Sequence, residues 1–272
     1  MIQDIQPSRL DNHFTDRSLS GEDSVLHFDA DGKLLASAAQ EQIRFPKGTE
    51  VSVSDTVFLF SVDERNYFLA LGAFQCADEA FQRYTIRELR DQSAGTELFA
   101  AFTAYHLWKW YSDNRFCGKC KGTLMLHNAE RVLKCPDCGN LIYPRINPAV
   151  IVGVIRDDSL LITRYRRGYA HNALVAGFTE IGETLEQTAE REVMEETGIR
   201  VKNIRYYKSQ PWGMAQDILV GFFCDADGDT AIHMDADELK YAEWVKREEI
   251  VLQPNNLSLT NEMMRMFKEN KI

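Results

Sequence analysis

At 272 residues the chain exceeds one typical domain, and its 44% hydrophobic and 26% charged residues are those of an ordinary globular protein able to build its own core. The formal net charge of -10 argues against broad, sequence-blind attraction to nucleic acid, but not against an anionic small substrate held by local cations. No apolar run reaches the roughly 20 residues that span a bilayer, and the start MIQDIQPSRLDNHF lacks the basic and apolar regions of a signal peptide, so a cytoplasmic location is expected.

Three composition regimes follow along the chain, and the expected fold class is α/β (α+β). Residues 1–113 read as an N-terminal mixed α+β domain, with strand-like runs at Ser24–Phe28, Thr49–Phe60 and Tyr67–Phe74. A helical stretch closes it in GTELFAAFTAYHLWKWYSDN, whose aromatics (Phe99, Phe102, Tyr105, Trp108, Trp110, Tyr111) are expected in a core or an interface. Residues 114–143 form a compact four-cysteine segment. In 144–272 strands and helices alternate: NPAVIVGVI, SLLITRY, a helix from about 185 to 197, VKNIRYYKS, DILVGFFC and a closing helix near SLTNEMMRMFKEN.

Of the six cysteines, Cys117, Cys120, Cys135 and Cys138 form two C-x2-C pairs separated by 14 residues. Two such knuckles supply four thiolates to tetrahedral Zn2+, with Gly118 and Gly139 expected at the turns' positive-φ positions. A reducing cytosol favours thiolates over disulfides, and four cysteines leave no open coordination position, so a structural zinc ribbon is expected. Lys121, His127, Arg131 and Lys134 between the knuckles leave nucleic-acid contact as a rival reading. Cys76 and Cys224 stand alone and read as small buried hydrophobes.

The segment GFTEIGETLEQTAEREVMEETGI carries the chemistry. Thr184 and Gln187 make a capping-box start and Gly198 a C-terminal stop, with Leu185, Ala189 and Val193 as the buried stripe between them. At about 100° per residue, Glu196 falls about 20° from the centre of that stripe and Glu192 about 60°, with Glu195 farther round. Two like charges at i, i+4 on the inward side destabilise the helix and are costly to bury. Bound divalent cations remove the conflict, since hard oxygen ligands on one helical face suit Mg2+ or Mn2+.

This pattern resembles the Nudix box, G-x5-E-x7-R-E-U-x-E-E-x-G-U with U aliphatic, matched at Gly177, Glu183, Arg191, Glu192, Val193, Glu195, Glu196, Gly198 and Ile199. The resemblance implies a C-terminal α/β/α sandwich with a mixed sheet. It also implies Glu192 and Glu196 as metal ligands, Glu195 as ligand or base, and Glu183 with Arg191 as a buried pair orienting the loop. The implied reaction is displacement at a phosphorus of a diphosphate by a metal-activated water, with the choice of base left open among coupled carboxylates.

A ribbon upstream of such a box, with SQPW downstream, resembles the NADH pyrophosphatase family, whose tail reads SQPWPFPxS. Ser209, Gln210, Pro211 and Trp212 match; Gly213, Met214, Ala215 and Asp217 stand where Pro, Phe, Pro and Ser are expected. The resemblance implies substrate contacts at Tyr143, at Phe178 and along Gln210, Pro211, Trp212, Gly213, Met214, Ala215, Gln216 and Asp217. It further implies metal contacts from the Ala176 carbonyl and Glu238, the latter within reach of substrate. Arg164, Arg166 and Arg167 precede the box, as phosphate contacts or as a solvated loop. The expected activity is cleavage of NADH or NAD+ to a nicotinamide mononucleotide and AMP, with Mg2+ or Mn2+ as catalytic cofactor, structural Zn2+, and a homodimeric assembly. The rivals are an ADP-ribose-type substrate, removal of NAD caps from RNA, and a ligand-sensing regulator without activity.

Overall fold

The computed structural model describes residues 1–39, 42–166 and 171–272. The chain divides into two compact units, one of Ile2–Arg145 with Gly213–Gln216, the other of Met1, Ile146–Trp212 and Asp217–Ile272. Mixed sheets and helices in each bear out the α+β class. No helix among the described residues is long and apolar enough to cross a membrane.

In the first unit, a four-stranded sheet runs in the order Leu10–Asp11, Thr56–Val62, Arg65–Ala70, Ser24–Leu26. The run expected as one strand over Thr49–Phe60 is broken. Val51–Val53 pairs with Phe74–Cys76, and Thr56–Val62 joins the larger sheet. Between them Ser54 turns the chain, its hydroxyl accepting the Ala73 N–H at 2.8 Å. The aromatic helix spans Thr96–Asp113, and its Phe102 and Trp110 are buried, as are Phe60, Tyr67 and Phe68 of the sheet. Trp108, half-buried, stacks on Phe28 with centroids 5.0 Å apart, so these rings divide between the core and its margin.

The cysteine segment adds a three-stranded sheet of Met125–Leu126, Leu133–Lys134 and Leu141–Ile142 to the same unit. Arg131 ties it there, donating to Asn12 Oδ1 at 2.7 Å and to the Leu59 carbonyl.

The second unit is a sandwich of two helices on a six-stranded mixed sheet. Its middle strand, Asn147–Arg156, pairs in parallel with Asp217–Asp227 and antiparallel with Val175–Phe178 and, at its far end, with Ser159–Tyr165. Arg200–Trp212 and Leu239–Lys246 form the two edges. Alternation along the middle strand sorts the two cores. Val150, Val152 and Val154 pack with Ala189 and Val193 of the helix Leu185–Thr197 (the box helix). Ile151 and Phe223 pack with Met263, Met264 and Phe267 of the helix Leu259–Lys268 (the closing helix). A strand buried on both faces must be apolar at successive positions, which is how PAVIVGVI reads. Gly153 leaves room for Phe223, whose ring would lie 2.7 Å from a Cβ there.

Candidate active site

The box helix begins and ends where its local signals place it. Thr184 Oγ1 accepts the Gln187 N–H at 3.2 Å, and Gln187 Oε1 accepts the Thr184 N–H at 2.9 Å. Gly198 closes it at φ 70°, donating to the Met194 carbonyl. Between these caps, exposure follows the angular order of the glutamates. Glu196 is 2% exposed, the Glu192 side chain 12% and the Glu195 side chain 60%.

Arg191 organises the outer half of the site. Its Nε and Nη2 make a fork to both oxygens of Glu183, at 2.6 and 3.0 Å. Nη1 donates to Glu192 Oε1 at 2.7 Å and to Glu195 Oε2 at 2.9 Å, while Nη2 also reaches the Phe178 carbonyl at 2.9 Å. Glu183 further accepts from the Glu180 N–H and the Thr188 hydroxyl, at 3.1 and 3.0 Å. The Arg191 guanidinium, first among these donors, holds the Glu183 carboxyl at about 2, far below the ordinary carboxylate value. The pair was expected to be buried; with side chains 20% and 26% exposed it is only partly so, because the loop carrying Glu183 lies at the rim.

The inner half is dominated by desolvation. Burial pushes the Glu196 carboxyl up to about 8, opposed by a hydrogen bond from Tyr165 and reinforced by the charges of Glu192 and Glu238. Burial likewise raises Glu192, offset by Arg191. Tyr165 donates to Glu196 Oε1 at 3.0 Å and accepts the Ala176 N–H at 3.0 Å. Sequence reasoning passed over Tyr165. Its signal is parity: Leu161, Thr163 and Tyr165 share the face of their strand that carries Leu161 into the core under the box helix.

Residues 145–267 match the NUDIX domain family model. This unit is a Nudix domain. The chain is 40% identical over 174 residues to the NAD-capped RNA hydrolase NudC of Klebsiella pneumoniae (strain 342), a match covering 62% of this chain and 66% of that protein. NudC of Shigella dysenteriae serotype 1 (strain Sd197) matches at the same identity and coverage. The chain thus spans about two thirds of the length of these curated relatives. A NUDIX hydrolase from Nitrosomonas europaea superposes with a TM-score of 0.50 at 21% identity, over 58% of this chain and 92% of that one, a likeness of fold.

The other sequence-derived positions fall into two groups. Phe178 is 54% exposed on its unit, and Tyr143 is 55% exposed on the other, its hydroxyl 3.3 Å from Glu130 Oε2. Pro211 and Ala215 are exposed, Trp212 and Met214 half-buried. Gln210, by contrast, is fully buried. Its Nε2 donates to the Leu257 carbonyl at 2.9 Å and its Oε1 accepts the Leu259 N–H at 2.7 Å, which caps the closing helix. Asp217 is 5% exposed and accepts from Asn147 Nδ2 at 3.4 Å. These two side chains support the hairpin from within. Its turn is Gly213–Gln216, with Gln216 at φ 63° accepting from Arg145 at 2.7 Å, and a Cβ on Gly213 would overlap the Phe102 carbonyl.

Glu238 is exposed, and its charge counts among the causes that raise Glu192 and Glu196. Arg164 donates to Asn172 Oδ1 at 2.8 Å and lies over the Tyr241 ring, and Arg166 donates to the Leu239 carbonyl at 3.3 Å. Arg167 lies outside the described residues.

Among the described residues, the grouping of three or more His, Cys, Asp or Glu ligand atoms within 4.8 Å is that of Cys117, Cys120, Cys135 and Cys138. The Sγ separations of 3.7 Å (Cys117–Cys138) and 3.4 Å (Cys120–Cys135) suit the edge of about 3.8 Å that a tetrahedron with Zn–S near 2.3 Å requires. The cluster can hold zinc. The positive φ of the second knuckle falls on Gly139 as expected, but that of the first falls on Lys121 and not on Gly118. The reason is register: each knuckle turns at the residue after its second cysteine. The box glutamates are not drawn into such a cluster: Glu192 and Glu195 share Arg191, and Glu196 takes Tyr165.

Proposed function

We propose that this protein is a divalent-metal-dependent hydrolase that cleaves the diphosphate of NADH or NAD+ to a nicotinamide mononucleotide and AMP. The observation that carries the reading is the inward pair Glu192 and Glu196, carboxylates 12% and 2% exposed on one face of the Nudix helix. Burying acids there is costly unless a cation is shared between them. The substrate class rests on the 40% identity to proteins named NAD-capped RNA hydrolase NudC and on the SQPW segment.

Glu192, Glu196 and the Ala176 carbonyl, with Glu195 and Glu238 at the rim, make an all-oxygen donor set that suits Mg2+ or Mn2+. Bound there, such ions lower the pKa of a water and neutralise charge on the diphosphate oxygens. Glu195, exposed and hydrogen-bonded to Arg191, stands at the rim of this set as a further ligand or as the base. Phe178 offers an exposed ring face for a flat base or nicotinamide, Tyr143 offers another on its own unit, and Pro211, Trp212, Gly213, Met214, Ala215 and Gln216 at the hairpin end are further candidate substrate contacts. Gln210 and Asp217 serve that end by holding the hairpin in place. The names of the relatives favour one second reading, removal of NAD caps from RNA by the same scission. A cytoplasmic homodimer completes the proposal, and sedimentation equilibrium on the full chain decides the stoichiometry.

Incubation of the full chain with NADH, NAD+, ADP-ribose and a short NAD-capped RNA, each with Mg2+ or Mn2+, tests the reading. NADH or NAD+ should yield AMP and the mononucleotide. Survival of all four substrates refutes it, and exclusive turnover of ADP-ribose or of RNA reassigns the substrate.

The cysteine cluster is proposed to hold a structural Zn2+. Freshly purified protein should contain about one equivalent per chain. Cys135→Ser, at a fully buried position, should lose the metal and lower the melting temperature of the N-terminal unit. Zinc-free protein with an unchanged melt removes the claim.

A Cβ at position 177 would overlap the Glu192 carboxylate. Gly177→Ala should therefore displace that ligand and cut turnover about 10–100-fold, the scale of an ångström-sized misplacement. Unchanged turnover would show that Glu192 does not need its present seat.

A further inference from the structure

We infer that Tyr165 is a positioning residue that sets the geometry of one proposed metal ligand, the Glu196 carboxylate. The inference rests on the metal-dependent reading of the Nudix helix and deepens it.

One hydroxyl touches Glu196 and the Ala176 backbone. The Tyr165 oxygen lies 3.0 Å from Glu196 Oε1, 3.3 Å from Glu196 Oε2, and 3.0 Å from the Ala176 nitrogen, with the Ala176 carbonyl oxygen at 3.3 Å. A phenol has one proton to give and lone pairs to accept with. Here it accepts the Ala176 N–H and gives its proton to the carboxylate, so both of its functions are used at the site. Donation to one carboxylate oxygen fixes the rotation of the Glu196 head group and leaves the other oxygen to face a cation. Acceptance from the Ala176 N–H holds the hydroxyl itself in place, with its proton directed at Glu196.

The sheet carries this position. Tyr165 ends the strand Ser159–Tyr165, and its pairing with the edge strand Leu239–Lys246 shifts register between Arg164 and Tyr165, where Tyr165 faces Leu239. The extra edge-strand residue, Lys240, is the bulge, and it lies two positions from Glu238. The ring therefore stands on a strand while its partner stands on a helix 31 residues away, as groups that orient a ligand commonly do.

Mn2+ binding to the full-length, zinc-loaded protein, followed by the electron paramagnetic resonance signal of free Mn2+ without substrate, tests the assignment. Wild type, Tyr165→Phe, Glu196→Gln and the double variant form one cycle. Tyr165→Phe keeps the ring and should weaken Mn2+ binding about 10–100-fold, the usual effect of losing a partner that orients a ligand. In the Glu196→Gln background the same change should cost little further, because the carboxylate it positions is gone. Equal costs in both backgrounds, or wild-type affinity in Tyr165→Phe, overturn the inference. Should Tyr165→Phe melt early, Tyr165→Trp and Tyr165→Leu, which disturb packing but cannot reproduce the bond, must weaken Mn2+ binding in the Glu196 background and spare it in the Gln background. Failure of wild type itself to bind Mn2+ overturns the metal reading and this inference with it, whereas normal wild-type binding with an unaffected Tyr165→Phe overturns this inference alone.

Discussion

Glu196→Gln is expected to cut turnover by at least about 100-fold while leaving the protein folded. A metal ligand contributes several kcal/mol to stabilising charge in the transition state, and each 1.36 kcal/mol is about tenfold in rate. The fold should tolerate the change because Glu196 is 2% exposed and its carboxyl is pushed up to about 8, so near neutrality the metal-free side chain is largely protonated and similar in shape and charge to glutamine. Melting temperature and steady-state turnover, measured on the same preparation, decide it. Near-normal turnover would exclude Glu196 from the proposed chemistry.

The same residue sets a pH dependence with a definite sign. A carboxyl raised from 4.5 to about 8 binds its proton more tightly in the folded than in the unfolded chain. Its contribution to stability is whole below about 4.5 and is lost as the pH rises through about 8. Chelator-treated protein should therefore lose stability across that window, Mn2+ should restore it at the alkaline end, and Glu196→Gln should flatten the curve. A wild-type curve that rises across the same window contradicts the assignment.

What the sequence could convey here depended on how local each signal was. The box helix is written in adjacent residues, caps at Thr184 and Gly198 and a four-residue apolar repeat, so its limits and the ranking of Glu196, Glu192 and Glu195 by burial emerged without coordinates. Tyr165 was hidden because its partner lies 31 positions away and only the pairing of strands brings them together. Val175–Phe178 is too short to show a period, and Leu239–Lys246 is a sheet edge whose mixed pattern, LKYAEWVK, shows no clean alternation. Resemblance names positions without saying how each is seated: Gln210 and Asp217, expected as substrate contacts, have side chains buried beneath the hairpin, which only the packed strands reveal.

Arg191→Leu should do what Glu196→Gln does not, and lower stability together with activity. The guanidinium serves Glu183, Glu192, Glu195 and the Phe178 carbonyl at once, so its loss leaves three carboxylates within a few ångströms without their shared cation. Breaking a fully buried pair from one side costs about 3–5 kcal/mol, and water reaching a side chain 26% exposed reduces this to about 2 kcal/mol. The acid limb adds a signature. Glu183, held at about 2 by this arginine, contributes stability that is present above its ordinary value of 4.5 and fades only as the pH falls through about 2. In Arg191→Leu the carboxyl returns toward 4.5, so the variant should begin to match the wild type in stability as Glu183 protonates, with the deficit largest above pH 5 or so. Arg191→Lys keeps the charge but not the fork, and should recover part of the stability and less of the turnover, since a point charge cannot span Glu183 and Glu192 together. Thermal melts from pH 3 to 8 on the three proteins separate these outcomes. A pH-independent deficit in Arg191→Leu would mean that packing of the arginine stem, and not its ion pairs, holds the loop to the helix.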